Sequence, residues 1–167
     1  EELTAQGAEG IILDLRMNPG GLLNQAVEVA SQFLGTDALV VYTKGRGQSR
    51  LQDREYYTDN AGVYQKGKLV VLVNGGSASA SEIVTGAIQD HDRGVVMGQS
   101  SFGKGLVQSV KPLANGTALK ITTAKYYIPS GRCIQKEYYL KNRMSAIIQD
   151  TLNWNPEELD PWDFSDE

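Results

Sequence analysis

Short apolar runs alternate with helical patterns along the first part of the chain. The runs are rich in Val, Ile and Leu and end at glycine-bearing turns, which predicts buried strands. These strands are expected at residues 11–15, 38–42, 69–73 and 95–97. Between them, apolar residues recur at the spacing of an amphipathic helix and predict helices over residues 22–34 and 77–90. Residues 1–8 show the pattern of a helix end, closed by Gly7.

Two further strands are predicted near the end of this pattern. Residues 106–113 and 117–128 are joined at Asn115-Gly116, a dipeptide favoured in tight hairpin turns. Strands that alternate with helices predict an α/β fold, a twisted sheet with packed helices, to which this C-terminal hairpin is added. The polar, Tyr-bearing residues 45–68 are interpreted as an excursion that lies outside the core.

The charge is unevenly distributed over the 167 residues. The net charge is −4, but residues 144–167 hold seven acids and no Lys or Arg. We expect the acidic end, residues 160–167, to be a solvated tail. The Lys and Arg residues are not clustered, so the sequence does not predict a nucleic-acid interface. No apolar run approaches the ~20 residues needed to cross a bilayer.

Histidine and cysteine each occur once. Cys133 cannot form an internal disulfide or a Cys-rich metal site on its own. A Ser-His-Asp triad, or a zinc site with two histidines, would have to be built on His91. His91 lies at the predicted end of a helix, where a solvated ring facing the helix dipole is the simpler interpretation. We therefore predict neither a metal nor a cofactor.

Three glycine-bearing loops follow predicted strands, at residues 16–21, 74–81 and 98–105. In α/β folds, sites gather at the carboxyl ends of strands, so these loops are expected to converge. The middle loop leads into a helix, whose free N–H groups suit an oxyanion or a phosphate equally well. Its serines Ser77, Ser79 and Ser81 are candidate nucleophiles, although a helix N-cap accounts for one of them.

The third loop comes close to a phosphate-binding loop. Gly98, Gly103 and Lys104 match that pattern, and a strand precedes them. Gly105 stands where a Ser or Thr is needed for the magnesium ion, and the following residues predict a strand in place of a helix. Both departures argue against nucleotide binding.

Four segments closely resemble motifs of the carboxyl-terminal processing (tail-specific) serine peptidases. They are residues 14–21, 72–83, 101–108 and 122–135. The resemblance implies a catalytic core over residues 1–136, related in fold to the crotonase and Clp-protease type, followed by a C-terminal extension over residues 137–167. Family members carry an upstream PDZ domain that captures the substrate's C-terminus. No such segment lies in these residues, so we expect an N-terminally truncated chain.

The resemblance assigns a catalytic role to each matching residue. Ser79 aligns with the family's nucleophile, Lys104 with its general base and Gln108 with the residue that orients this base. The backbone N–H groups of Ala80 and Gly21 align with the oxyanion hole. If the first loop is shifted by one position, Gly20 replaces Gly21 in that role.

A serine hydroxyl needs a base within hydrogen-bond reach, and a lysine base must be neutral. Because a free lysine has a pKa of about 10.4, such a base requires surroundings that disfavour its ammonium form. We expect Phe102, Leu106 and Val107 to line Lys104 for that reason. If residues 104–108 are extended, Gln108 lies on the same side as Lys104 and binds its amine without adding charge.

The resemblance thus implies a serine endopeptidase that cleaves protein or peptide substrates near their C-terminus through an acyl-enzyme. It also implies an extracytoplasmic setting, such as the periplasm, the cell envelope or a thylakoid lumen. Two alternatives stay open: a non-catalytic binding module like the retinoid-binding repeats that share this fold, and a phosphate-loop nucleotidase. A homo-oligomer is compatible with the sequence, which leaves the oligomeric state open.

Overall fold

The computed structural model describes residues 2–45, 53–59 and 62–136 and arranges them as two β-sheets with three helices. The predicted C-terminal extension and acidic tail lie outside the described residues. Along the chain the elements are α1 (Glu2–Ala5), β1 (Gly10–Asp14), α2 (Leu23–Ser31), β2 (Leu39–Gly45), β3 (Arg54–Tyr57), β4 (Lys68–Val73), α3 (Ala80–Asp90), β5 (Val95–Gly98), β6 (Leu106–Pro112), a 3₁₀ turn (Ala114–Gly116) and β7 (Ala118–Tyr127). None of the described helices is long and apolar enough to span a membrane.

The first sheet is parallel and has the strand order β1-β4-β5. Its central strand, β4, buries alternate side chains, as expected for a strand with one face on the core. Helices α2 and α3 pack against each other and contribute apolar side chains to the core over that face. The most deeply buried core residues come from all these elements: Ala30, Val40, Val41, Val71, Ile83, Ala87 and Ile88.

The second sheet is antiparallel and has the order β3-β2-β7-β6. The prediction of one twisted sheet is therefore corrected to two. A short apolar run such as β2 shows that a strand is buried but not which strand it pairs with, and β2 pairs with β7, some 80 residues later. Strands β6 and β7 are antiparallel neighbours, and the turn between them places Asn115 and Gly116 at φ 64° and 71°.

The region assigned to an excursion outside the core contributes to the core instead, where the structure describes it. Tyr64 is 6% exposed and belongs to the core cluster, and Thr58 is 1% exposed. The Thr58 hydroxyl donates to the Gly35 carbonyl and accepts from the Ala38 N–H, so burial leaves it with partners. A prediction from polarity alone misses buried groups whose hydrogen bonds come from distant residues.

Candidate functional site

The three predicted loops meet at one edge of the parallel sheet. They follow β1, β4 and β5, the three strands of that sheet, and parallel strands bring their carboxyl ends together. This convergence was predicted from the position of the loops after apolar runs. The loops are called here the first loop (residues 15–21), the serine loop (residues 74–81) and the lysine loop (residues 99–105).

Ser77 fastens the serine loop to the first loop from within the core. Its hydroxyl donates to the Leu15 carbonyl at 2.7 Å and accepts from the Asn74 N–H at 3.0 Å, and the residue is fully buried. The side-chain oxygen of Asn74 in turn accepts from the Met17 N–H at 2.9 Å. The Ser77 hydroxyl is thus occupied, as donor and as acceptor, by bonds that hold the two loops together.

Ser81 makes a second connection between these loops. Its hydroxyl donates to the Asn18 carbonyl at 3.0 Å, and the Ala78 N–H donates to the same oxygen at 3.0 Å. Two of the three candidate serines therefore hold the first loop against the start of α3. This distribution of bonds leaves Ser79 as the candidate nucleophile.

Ser79 forms a sharp elbow between the serine loop and α3. It precedes the first helical residue and has φ 56° and ψ −116°, a conformation that costs a non-glycine residue about 1–3 kcal/mol. Strained strand-to-helix turns of this kind expose the serine nucleophiles of other hydrolase folds. In the described part of the chain, the N–H of the next residue, Ala80, donates to no acceptor, so it is available to a ligand.

The first loop approaches this elbow through Gly20, which has φ 90°. A Cβ on Gly20 would lie 2.5 Å from the Ala78 carbonyl oxygen and 2.6 Å from the Ala80 nitrogen, so no other residue fits there. The Gly20 N–H donates to the Asn18 side chain at 2.9 Å, whereas the Gly21 N–H has no acceptor among the described residues. Of the two glycines, Gly21 is thus the better candidate for an oxyanion hole.

Glu82 joins the serine loop to the lysine loop. One carboxylate oxygen accepts the N–H groups of Ser79 and Lys104 at 2.7 and 2.9 Å, and the other accepts the N–H of Gly103 at 2.6 Å. The residue is 6% exposed. Since the Ser79 and Lys104 nitrogens share one oxygen, their separation cannot exceed the sum of these two distances. Glu82 lies three residues after Ser79, and this spacing is the capping-box signal that indicates the first of these bonds.

The side chain of Lys104 is exposed, which corrects the expectation of an apolar enclosure. Phe102 is 39% exposed, and Leu106 and Val107 are half-buried. Gly103 and Gly105 are the buried residues of this loop, and Lys104 between them is exposed. Within the described residues, no hydrogen bond joins the Lys104 and Ser79 side chains; catalytic contacts are often loose before substrate binds.

Gln108 is the third residue of β6. Strand β6 begins at Leu106, after Lys104, and its pairing with β7 shifts between Val107 and Gln108. The extra residue of this shift lies on β7, and Lys104 precedes β6, so the pairing does not test whether Lys104 and Gln108 share a side, which stays a prediction. Gln108 is exposed, and its side chain makes no hydrogen bond to Lys104 in the part of the chain that the structure describes.

Asp14, the last residue of β1, forms an ion pair with Arg16. The guanidinium of Arg16 donates to both Asp14 oxygens, with a shortest distance of 2.7 Å. These hydrogen bonds lower the pKa of Asp14 to about 2. The pair lies on the surface at the start of the first loop.

His91 and Cys133 lie away from this site. His91 follows the last residue of α3, and its Nε2 lies 2.7 Å from the Leu39 carbonyl oxygen. Twelve residue steps along α3 separate it from Ser79 by about 18 Å, too far for a catalytic pair. Cys133 is an exposed free thiol opposite Tyr127. No group of acidic, His and Cys side chains suited to a metal ion is found in residues 2–45, 53–59 and 62–136.

Residues 1–142 match the model of a family described as peptidase family S41. The carboxy-terminal-processing protease of Bartonella bacilliformis is 49% identical over 127 residues, which is 76% of this chain and 29% of that protein. The chloroplastic C-terminal processing peptidase of Tetradesmus obliquus is 40% identical over 135 residues, 81% of this chain and 28% of that protein. The chain thus spans less than a third of these relatives.

Solved structures show the same similarity. A photosystem II D1 C-terminal processing protease superposes with a TM-score of 0.71 at 38% identity and covers 80% of this chain and 34% of its own. An S41-type protein from Bacteroides fragilis has a TM-score of 0.66 at 16% identity over 78% of this chain and 36% of its own, which supports the fold alone.

Proposed function

Because this chain belongs to peptidase family S41, we propose that it is the catalytic core of a serine endopeptidase that cleaves proteins or peptides near their C-terminus. The proposal assigns the nucleophile to Ser79 and the general base to Lys104. One observation carries it: the strained Ser79 elbow and the backbone of Lys104 are held by the same carboxylate, that of Glu82. A nucleophile and its base need this kind of fixed separation.

In the proposed reaction, the Ser79 hydroxyl attacks the scissile carbonyl while the neutral Lys104 amine takes its proton. The carbonyl oxygen becomes an oxyanion that the N–H groups of Ala80 and Gly21 stabilise, at the positive end of the α3 dipole. The leaving amine accepts the proton from Lys104, and an acyl-enzyme remains on Ser79. A water molecule, deprotonated by the same amine, then attacks the acyl carbon; the bond to the Ser79 oxygen breaks, that oxygen takes the proton back from the amine, and the acid product leaves.

The flexible four-carbon stem of Lys104 allows its amine to approach Ser79 from an exposed position when substrate closes the site. Gln108 is proposed to bind this amine in the closed site. Substrate enclosure would also supply the desolvation that a neutral amine needs.

Several further properties of the enzyme are proposed by similarity. Two relatives are named as C-terminal processing proteases, so the substrates proposed for this chain are proteins and peptides whose C-terminus is recognised, with an upstream PDZ domain as the capturing module. We also propose an extracytoplasmic location, a core of the crotonase and Clp-protease type, and no cofactor or nucleic-acid partner. A homo-oligomer remains compatible with these features.

The two alternative functions fit the geometry less well. A phosphate-binding loop would continue into a helix, but β6 follows Lys104, and the N–H groups of Gly103 and Lys104 are already bound to Glu82. A non-catalytic binding module would have no need for strain at Ser79 or for an unpartnered N–H at Ala80. Both features have a use in acyl transfer.

A fluorophosphonate probe tests the proposed nucleophile directly. We expect the intact protein to gain one phosphonyl group, located at Ser79 by peptide mass spectrometry, and Ser79→Ala to remain unlabelled. Lys104→Met should fold and label at least 100-fold more slowly, since the hydroxyl then lacks its base. Labelling at another residue, or ATP binding with no labelling, would overturn the proposal.

Adding a methyl group at Gly20 should damage the site far more than adding one at Gly21. Gly20→Ala places a Cβ against Ala78 and Ala80, so the elbow must move; a displacement of about 1 Å costs roughly 100-fold in kcat/KM. At Gly21 the nearest atom to the added Cβ is the Gln25 side chain at 3.7 Å, so Gly21→Ala should lose less than about fivefold. Similar losses in both variants would contradict the close contact at Gly20.

Activity should rise with pH along a single limb, since only the neutral amine of Lys104 accepts the Ser79 proton. Gln108→Glu should move that limb to higher pH, because a nearby negative charge favours the ammonium form. Solvent screens the exposed position of Gln108, so we expect a shift of about half a pH unit. His91→Gln should leave the profile unchanged. The measurement is kcat/KM against pH with one peptide substrate, and a limb that depends on His91 would refute the lysine base.

A further inference from the structure

A short segment of chain after β7 lies across the lysine loop. This strap, residues 134–136, is bonded to the lysine loop on both sides of Lys104. The Gln135 side-chain oxygen accepts the Gly105 N–H at 2.9 Å, and the Lys136 N–H donates to the Gly103 carbonyl at 3.2 Å. The Lys136 ammonium also donates to the Ser101 carbonyl. The strap therefore contacts the lysine loop at three points.

Strand β7 anchors both the strap and the lysine loop. The Tyr126 carbonyl accepts the Ile134 N–H at 3.1 Å, and the Tyr126 N–H donates to the Gly105 carbonyl at 2.7 Å. Tyr126 thus binds the strap through its carbonyl and the lysine loop through its N–H. The strap and the lysine loop are tied to one residue of a paired strand, which makes the strap a fixed support.

The glycines beside Lys104 are required by this strap. A Cβ on Gly105 would lie 2.3 Å from the Gln135 nitrogen and 2.9 Å from its Cα, and one on Gly103 would overlap the Lys136 side chain. The lysine loop also approaches the start of α3, where Ser79 lies. In the structure that approach is made by N–H groups bonded to Glu82, while the glycine Cα atoms face the strap.

We propose that Gln135 and Lys136 are positioning residues that hold Lys104 in register with Ser79. The inference rests on the proposed function. Glu82 binds the lysine loop from the side of α3 and the strap binds it from the other, so the Lys104 backbone is held between two supports. Because Lys104 is itself exposed and makes no bond to Ser79 in the described structure, these backbone contacts determine where its amine can reach. Loss of the strap's contacts leaves the first loop and the serine loop in place but moves Lys104.

The test compares Gln135→Met, which keeps the side chain's length but cannot accept the Gly105 N–H, with Gln135→Glu, which keeps an acceptor oxygen. Gln32→Met, an exposed glutamine at the end of α2, is the matched control. For each intact protein we would measure kcat and KM with one peptide, the rate of fluorophosphonate labelling at Ser79, and Tm. We expect Gln135→Met to lose about tenfold in kcat and in labelling rate with KM within twofold, Gln135→Glu to recover most of the labelling rate, and the control to match wild type.

Two results separate this inference from the proposed function. If wild type neither labels nor hydrolyses peptide, the proposed function fails. If wild type is active but Gln135→Met equals it in kcat and labelling rate, or loses only KM, the positioning role is refuted. Should Gln135→Met fail to fold, Lys136→Met provides the test. The Lys136 side chain is exposed, so this variant loses only the bond to the Ser101 carbonyl. The inference requires that fluorophosphonate labelling of Ser79 then be at least threefold slower. Wild-type labelling in that variant would overturn it.

Discussion

Replacing Ser79 with alanine is expected to lower kcat/KM by at least 10⁴-fold, about 5 kcal/mol in the barrier, with little change in Tm. Ser79 is half-buried at the tip of the elbow, and the loss removes the atom that forms the acyl-enzyme. Stability should not fall, because a non-glycine residue of similar size keeps the same backbone strain. Glu82 still receives the backbone N–H of residue 79 in this variant, since that bond does not involve the side chain.

The neighbouring serines supply matched comparisons. Ser77→Ala removes two hydrogen bonds from a fully buried site, so we expect a loss of about 1–3 kcal/mol in unfolding free energy and about tenfold in activity as the first loop shifts. Ser81→Ala should lose less than about threefold in activity, because the Asn18 carbonyl keeps its bond from the Ala78 N–H. Ser31→Ala, a buried serine on α2 away from the site, controls for the loss of a hydroxyl.

The measurements are kcat/KM with one peptide and thermal unfolding of all four variants. Ser79→Ala should be inactive but stable, whereas Ser77→Ala should be less stable but active. Equal activity losses at residues 77, 79 and 81 would show that the serine-rich loop is a packing motif. That outcome would remove the proposed nucleophile.

The elements and the position of the site were predictable because each depends on local sequence. Apolar runs marked β1, β4 and β5, and the loops that follow them meet because parallel strands end at one edge. The same pattern missed β3 and the buried Tyr64, since nothing local shows which polar residues find partners across the fold. The prediction that placed β2 in a single sheet was wrong for the same reason, because the pairing of β2 with β7 is a long-range property.

Within the site, the family motifs located Ser79 and Lys104 but not the groups that hold them. The exposure of Lys104 and the register shift between β6 and β7 depend on contacts between distant parts of the chain, which a spacing rule cannot supply. The strap overlaps the fourth family motif at residues 134 and 135, and the resemblance assigned no role to them. Its contacts with Gly103 and Gly105 join residues about 30 positions apart, and only the structure brings them together.

Glu82 is expected to be the most important residue that does not react. Glu82→Leu removes the acceptor for three backbone N–H groups, from Ser79, Gly103 and Lys104, in a buried position. Hydrogen bonds to a charged acceptor contribute about 1.5–3 kcal/mol each, so the lysine loop should separate from the elbow. We expect kcat to fall about 1,000-fold, about 4 kcal/mol in the barrier, with a lower Tm.

Glu82→Gln distinguishes geometry from simple loss of stability. The amide keeps one oxygen, which can serve either the shared pair of Ser79 and Lys104 or Gly103, but its NH₂ group must then face an N–H donor. We therefore expect an intermediate loss of about 30–100-fold in kcat, with a smaller change in KM and a Tm between those of wild type and Glu82→Leu. Glu28→Gln, an exposed glutamate on α2, controls for the charge.

The decisive comparison is between the rate of fluorophosphonate labelling and the Tm across this series. If Glu82 positions the base, labelling of Ser79 should slow in the order wild type, Glu82→Gln, Glu82→Leu even at temperatures well below every Tm, because folded molecules then carry a displaced Lys104. If Glu82 only stabilises the fold, labelling rates per folded molecule should be equal at those temperatures. Equal labelling rates would contradict the assignment of Lys104 as the base for Ser79, since the shared carboxylate is the contact that brings these two residues together.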